Sequence, residues 1–235
     1  MYTVPDPSVS SSRSISLPGK RSRADELYDH LRAAIVQGTL EPNTRLVELA
    51  LAREAGISRT PVREALHRLE VDGLVRTSSR GMVVVDFSED ELVELCVARE
   101  GIESMVAGLA AAARPDFAIA TCDRIVDQTV EATEAADVER IVQLNHAFHE
   151  TVWMAARNRY LANELRRLRS LIERLQTTTL TSRARQLQSL QEHAQITDAI
   201  RRGDAAAAEA MTRQHFHNAM AVRLARAAVE AERTI

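Results

Sequence analysis

The chain of 235 residues has few cysteines, few aromatic residues and no long apolar run. Its two cysteines, Cys96 and Cys122, cannot supply a disulfide framework, so a reducing, cytoplasmic environment is expected. No apolar stretch approaches the roughly 20 residues that a membrane-spanning helix needs, and the N-terminus lacks the apolar core of a signal peptide. We therefore expect neither a membrane protein nor a disulfide-stabilised secreted domain.

Aromatic residues make up only 3% of the chain, whereas hydrophobic residues as a whole reach 45% and alanine is abundant. Small residues of high helix propensity suit closely packed helices better than a β-sandwich. The composition therefore predicts a mainly α-helical protein, and the length allows two modest domains.

Neither sign of charge dominates: the net charge is −3, too little cation for a protein that coats nucleic acid indiscriminately. Residues 1–87 carry twelve Lys and Arg against eleven Asp and Glu, and the remainder carries eighteen against twenty-two. Basic residues of the first part cluster locally, at Arg59, Arg63, Arg68, Arg76 and Arg80. A local patch of this kind is typical of a specific nucleic-acid site.

The cluster begins in a stretch that predicts a helix, with Ser58 as its N-cap and Pro61 in its first turn. Val62, Leu66 and Leu69 recur at helical spacing and form one apolar stripe. Positive charge at the N-terminal end of a helix opposes the macrodipole, whereas a DNA phosphate or base edge in front of that end reverses the sign. We therefore interpret the stretch as a DNA-recognition helix.

The flanking segments complete a winged helix-turn-helix over residues 21–87. Helices are expected at about 23–37 and 47–55, and two short strands at 74–77 and 82–85 form a wing around the turn at 78–81. Residues 1–20, rich in Ser and Pro, are expected to be a disordered arm. The candidate DNA contacts are Ser58, Arg59, Thr60, Arg63, Arg68, Arg80 and Gly81.

From residue 88 to 235 the pattern contains only long helical periodicities. Ser88 and Glu91 have the spacing of a capping box that opens the first of these helices. Breaks near 115, 137, 158, 182–185 and 203–204 define about six helices, which predicts an antiparallel bundle.

Arg99 falls on the apolar stripe of the first bundle helix, which comprises Leu92, Leu95, Ile102, Val106 and Leu109. A guanidinium in a core needs a partner, because an unpaired buried charge is costly. The partner is either Glu103 or another carboxylate of the bundle, or else the carboxylate of a bound ligand, and the spacing leaves both open.

The third bundle helix places Asn145 and His149 four residues apart, beside a seam of Ile141, Leu144, Phe148 and Val152, and places His146 at the surface. Two later helices contribute His193 and His215, with His217 as an alternative to the latter. An amide oxygen and three imidazoles could hold a divalent transition metal with open coordination positions. Periodicity alone does not bring the four together, and each histidine could instead be structural.

These residues also carry a resemblance to a known family. Residues 27–86 resemble the winged helix-turn-helix of the GntR family of bacterial transcription regulators, most closely in Ser58-Arg59-Thr60-Pro61-Val62-Arg63-Glu64-Ala65-Leu66 with Gly73 and Gly81. Residues 88–233 resemble the FCD effector domain of the FadR subfamily, in its shorter, VanR-like branch. The markers of that domain are Arg99, Glu103, Asn145, Phe148, His149, Asn158, Glu192, His193 and His215.

The resemblance implies a homodimer that binds double-stranded operator DNA and responds to a small organic acid. It implies a divalent transition metal, zinc or nickel, held by Asn145, His149, His193 and His215, with Arg99 facing the effector. Many relatives have Asp where this chain has Asn145.

Three hypotheses follow. The first is a transcription regulator, expected to be a repressor, that responds to a carboxylate in a metal-containing bundle. The second is a regulator that senses the metal ion itself. The third, a metal-dependent hydrolase, needs a general base, and no Glu or Asp accompanies the histidines in a pattern such as His-Glu-x-x-His.

Overall fold

The computed structural model describes residues 21–79, 81–173, 179–180 and 182–233. The expected N-terminal arm, residues 1–20, and the wing residue Arg80 lie outside these ranges. In chain order the described elements are α1 (Arg23–Val36), β1 (Arg45–Leu46), α2 (Glu48–Glu54), α3 (Arg59–Val71), β2 (Val75–Ser78), β3 (Gly81–Val84), α4 (Glu89–Ala113), α5 (Asp116–Glu134), α6 (Val138–Ala155), α7 (Arg159–Glu173), α8 (Arg183–Arg202) and α9 (Ala205–Arg233).

The first unit is a winged helix-turn-helix, as predicted. Its sheet is antiparallel in the order β1-β3-β2, with Val75 opposite Val84 and Ser78 opposite Gly81. The two predicted strands are present, each displaced by one residue. Strand β1 was not predicted, because two residues are too few to show an alternating pattern.

The core of this unit is built on the apolar stripe of α3. Val62, Leu66 and Leu69 are buried, as their spacing predicts, and they pack with residues of α1 and the wing. Ser58 occupies the N-cap position, but its side chain makes no capping hydrogen bond, so that part of the prediction was wrong. Its backbone is extended as a cap requires, while the hydroxyl is left exposed at the helix tip.

The second unit is a bundle of α4 to α9. Four of the predicted breaks fall between two of these helices, and the break predicted at 182–185 overlaps the start of α8 at Arg183. Both hydrogen bonds of the capping box at the start of α4 are present: the Ser88 amide donates to Glu91, and the Glu91 amide donates to Ser88 Oγ. The predicted seam of α6 is buried, with Phe148 as its largest side chain, and Trp153, which was not predicted, is buried on the same helix. Leu109, by contrast, is 39% exposed, because the buried face of α4 runs through small residues, Ala107, Ala110 and Ala111.

Helix α7 joins the two units. Leu171 belongs to the bundle in sequence, yet its side chain is buried in the core of the winged unit. Its Cδ2 atom would lie 3.4 Å from a Cβ atom added to Gly73, which ends α3 at a φ of +75°. The neighbouring Ser170 hydroxyl accepts a hydrogen bond from the Arg32 guanidinium of α1.

Candidate nucleic-acid interface and histidine cluster

The exposed N-terminal turns of α3 present two of the predicted DNA-contacting arginines together. Arg59 Nη2 and Arg63 Nε both donate to Glu48 Oε2 at the start of α2, at 2.9 and 2.8 Å. These hydrogen bonds, from Arg59 first and then Arg63, hold the pKa of Glu48 below its usual range. Ser58 and Thr60 are exposed beside them. The N-terminal end of α3 therefore exposes a cluster of hydrogen-bond donors, and the carboxylate of Glu48 bridges the two arginines among them.

Arg68 does not join this cluster. Its Nη1 donates to Asp25 Oδ1 at 2.6 Å, and its guanidinium lies 4.1 Å from the ring centroid of Tyr28. The Tyr28 hydroxyl in turn donates to Asp72, and burial followed by this hydrogen bond raises the pKa of Tyr28 to about 12. Arg68 thus ties α3 to α1. The other wing residue, Gly81, is exposed at the start of β3, with a φ of +98° that favours glycine.

Three of the four predicted metal ligands converge inside the bundle. His149 of α6, His193 of α8 and His215 of α9 are all buried, and one ring nitrogen from each lies within 4.8 Å of the others. Asn145 is half-buried one turn before His149, on the wall of an adjoining cavity. His217 is exposed, so the alternative to His215 is not supported. His146, expected at the surface, is half-buried on the same cavity wall.

The buried imidazoles are held in their neutral form. Burial, followed by the repulsion that a protonated His215 would add, keeps the pKa of His149 and of His193 well below 6.5. Burial also lowers the pKa of His215, although the Glu192 carboxylate opposes this. Neutral imidazoles have a free lone pair, which is the form that coordinates a metal.

Glu192 orients His215. The Nδ1 atom of His215 lies 2.6 Å from Glu192 Oε2, and the Asn218 amide donates to Oε1 at 2.6 Å. Burial alone would raise the pKa of Glu192, but these hydrogen bonds lower it overall, so the carboxylate is ionised and His215 donates from Nδ1. The Nε2 atom of His215 is then its acceptor nitrogen, an arrangement typical of metal-binding histidines.

The cavity beside the cluster encloses about 610 Å³, and Arg99, Asn145 and His215 are among its lining residues. Arg99 Nε donates to Glu103 Oε1 at 3.1 Å, so the carboxylate one turn away is one of its partners, as the first alternative held. Glu103 is buried and also accepts from Trp153 Nε1 at 2.6 Å. Arg99 nonetheless faces the cavity, where its guanidinium stacks on Phe216 at 4.7 Å, so the second alternative remains open to a ligand.

Comparison with known proteins identifies the family to which this pair of units belongs. Residues 23–85 match the model of bacterial regulatory proteins of the gntR family, and residues 94–218 match the FCD domain. The chain belongs to the GntR family of regulators. The resemblance found in the sequence is thereby confirmed. GntR regulators with this pair of domains are DNA-binding transcription regulators, so the DNA-binding function is confirmed as well.

Curated relatives of this GntR regulator include YdhC of Bacillus subtilis, an uncharacterized HTH-type transcriptional regulator. The two are 27% identical over 195 residues, which cover 82% of this chain and 87% of YdhC. The gluconate operon transcriptional repressor of Bacillus licheniformis is also 27% identical, over 81% of this chain and 79% of its own. Among solved structures, Escherichia coli McbR/YncC has the same fold, with a TM-score of 0.70 at 20% identity over 88% of this chain and 99% of its own.

The matched domains and relatives are those of transcription regulators and not of enzymes, which removes the hydrolase hypothesis. Across the described part of the GntR regulator, every helix falls short of the length and hydropathy that crossing a bilayer requires.

At the histidine site the sequence reasoning missed the buried Arg185, and it named Glu192 only as a marker of the family resemblance, without its role in orienting His215. Arg185 Nη1 donates to Glu192 Oε2 at 2.9 Å. Their spacing of seven residues on one helix, with Ser189 between them, marks a polar stripe on the buried face of α8. That stripe could have been recognised, because buried polar side chains at helical spacing need a common partner.

Proposed function

We propose that this GntR regulator is a homodimeric repressor whose binding to operator DNA is controlled by a small carboxylate in the cavity of the bundle. Arg99, with a divalent transition metal beside it, is the proposed carboxylate anchor. The observation that carries the proposal is a cluster of three neutral, buried histidines, one of which, His215, lines the same cavity as the guanidinium of Arg99. One relative, the gluconate operon transcriptional repressor, is named as a repressor, which supports repression rather than activation for this protein.

The residues present fit a metal such as zinc or nickel. Three imidazole nitrogens within 4.8 Å of one another could bind one ion, and Asn145, one turn before His149 on the wall of the adjoining cavity, would supply an oxygen. Among the residues that the structure describes, none forms a hydrogen bond with the buried Nε2 atom of His193. An orphaned buried nitrogen is rare unless something else binds it. A metal held here would act as a Lewis acid toward a carboxylate oxygen.

Helix α7 supports control of one unit by the other. Arg169 and Ile172 line the cavity, while Ser170 and Leu171, between them in sequence, contact the winged unit. A ligand that favours one position of α7 would bias the position of the winged unit, and thereby the affinity for DNA. A ligand bound equally well in both arrangements would change nothing.

The exposed face of α4 supports the homodimer. Val97, Met105 and Leu109 are 55%, 53% and 39% exposed and recur every four or eight residues along the helix. A contiguous apolar stripe on a surface is typical of an interface. We expect Met105→Glu to convert the protein to monomers in light scattering coupled to size exclusion. Met154→Glu, at a similarly exposed methionine of α6, should leave the mass unchanged. A dimer that survives Met105→Glu would place the interface elsewhere.

Specific DNA binding is tested with Arg63→Ala. We expect this variant to stay folded but to lose specific binding to a fragment from upstream of its own gene, measured by fluorescence anisotropy at moderate salt. One lost bidentate base contact corresponds to about 1–3 kcal/mol of discrimination. Arg124→Ala, an exposed arginine on α5, is the matched control. Wild-type affinity in Arg63→Ala would show that α3 does not read the operator.

The metal site is tested with the double variant His149→Ala/His193→Ala. We expect this variant to bind no metal, measured by inductively coupled plasma mass spectrometry. We also expect that small carboxylates no longer release it from DNA. The exposed His67→Ala variant should retain both. Unchanged metal content and response would remove the cluster from the proposal. Metal-dependent DNA binding without any organic acid would instead favour the ion as the signal.

A further inference from the structure

Arg185 is a buried cation whose hydrogen-bonding capacity the described residues satisfy only in part. It lies in the first turn of α8 and is only 4% exposed. A cation near the N-terminus of a helix opposes the macrodipole, and a buried cation destabilises a fold unless it is well paired. Its Nε atom is buried and, within the described ranges, has no hydrogen-bond partner.

The carboxylate beside Arg185 is already shared. Glu192 Oε2 accepts from Arg185 Nη1 at 2.9 Å and also from His215 Nδ1 at 2.6 Å, while Oε1 accepts from Asn218. Glu192 therefore balances the charge of Arg185 without using its remaining N–H donors. A planar guanidinium can bind a second carboxylate through those donors.

Arg185 and Arg99 line the same cavity from different helices, α8 and α4, and His215 lines it with them. Each guanidinium has one carboxylate of the protein as a partner, Glu192 for Arg185 and Glu103 for Arg99. Arg169, which is ion-paired with Glu150 at 3.6 Å, also lines the cavity, and Glu139 is the only carboxylate residue among the described lining residues. The cavity surface therefore favours a ligand with more than one negative charge.

We propose that the effector is a short dicarboxylate, with one carboxylate bound at Arg99 and the other at Arg185. The proposal rests on the proposed function, because it names the class of the carboxylate in the same cavity. A monocarboxylate held at Arg99 would leave Arg185 with the carboxylate of Glu192 as its ion-pair partner. A second carboxylate in the cavity would add a charge-assisted hydrogen bond to the Arg185 guanidinium, and we expect about 10- to 100-fold tighter binding. A cavity of about 610 Å³ is large enough for such an acid.

The test is calorimetric titration of the full-length protein with malonate, succinate and glutarate, each compared with its monoamide, which has nearly the same shape and one charge less. At least one diacid should bind the wild type about tenfold tighter than its monoamide, or more. In Arg185→Gln the preference should disappear while the affinity for the monoamide stays the same. Arg183→Gln, an exposed arginine two residues away, is the matched control. Arg185→Lys, which retains the charge, keeps the test valid if Arg185→Gln does not fold, and it should retain part of the preference.

The outcomes separate this proposal from the proposed function. If monoamides, or hydroxylated monocarboxylates such as gluconate, bind the wild type as tightly as the diacids and release DNA, the dicarboxylate proposal is wrong and the proposed function stands. A diacid preference that persists in Arg185→Gln would also overturn the role of Arg185. If no acid in the panel binds, both proposals fall.

Discussion

The buried histidines should make the metal-free protein sensitive to mild acid. Histidine in an unfolded chain titrates near 6.5, whereas burial keeps the pKa of His149 and His193 well below that value in the folded protein. Below pH 6.5 the unfolded state therefore binds more protons than the folded state. Stability is then lost as the pH falls, starting near the unfolded pKa and continuing down to the folded pKa.

The magnitude follows from protonation of the unfolded chain. Each histidine that stays neutral in the folded protein at about one pH unit below its unfolded pKa lowers the free energy of unfolding by about 1.4 kcal/mol. For His149 and His193 together the loss is about 3 kcal/mol between about pH 7.5 and 5.5. In a chain of this length, that corresponds to a fall in Tm of roughly 6–12 °C.

The assay is urea unfolding of chelator-treated protein, followed by circular dichroism at both pH values. The wild type and the control His67→Gln/His217→Gln, which changes two exposed histidines, should lose about 3 kcal/mol of stability. His149→Gln/His193→Gln should lose much less, whatever its absolute stability. An equal loss in all three proteins would refute neutral, buried imidazoles as the cause of acid sensitivity.

Three further predictions concern the winged unit. Glu48→Gln removes the carboxylate that bridges Arg59 and Arg63. We therefore expect the affinity for random-sequence DNA at low salt to rise several-fold in anisotropy titrations. An unchanged affinity would show that Glu48 does not compete with DNA phosphate for these arginines. Gly73→Ala, at a φ of +75°, should destabilise the protein by about 1–2 kcal/mol in thermal denaturation, and a wild-type midpoint would contradict the strain. Leu171→Ala should lower the unfolding free energy of the winged unit by about 2–3 kcal/mol in calorimetry, and an unchanged thermogram would mean that α7 adds nothing to that core.

Much of the fold was predictable because its signals are local. The capping box at Ser88, the proline at position 61 and the glycine after α8 each act on the residues next to them, so helix boundaries could be read from the sequence. Strand β1 could not be predicted in this way, because its two residues form a strand only through their pairing with β3. Leu109 was placed on the buried stripe because apolar size suggested it, whereas the buried face of α4 is formed by Ala107, Ala110 and Ala111.

The candidate site was predictable in its residue types but not in its assembly. Spacing paired Asn145 with His149, whereas the approach of His193 and His215 depends on how three separate helices pack. Arg68 shows the converse limit. It shares the helix and the charge of its neighbours, and only the position of α1 reveals that its partners are Asp25 and Tyr28.

The leucine that crosses from α7 into the winged unit constrains how such regulators can be recombined. A chimera that joins residues 21–87 to an unrelated sensor would leave an apolar hollow beside Gly73, where Leu171 now packs. Partner sensors would have to supply a side chain of similar size at that point. If the partner sensor lacks such a side chain, part of the hydrophobic core of the winged unit would be exposed to water in the chimera.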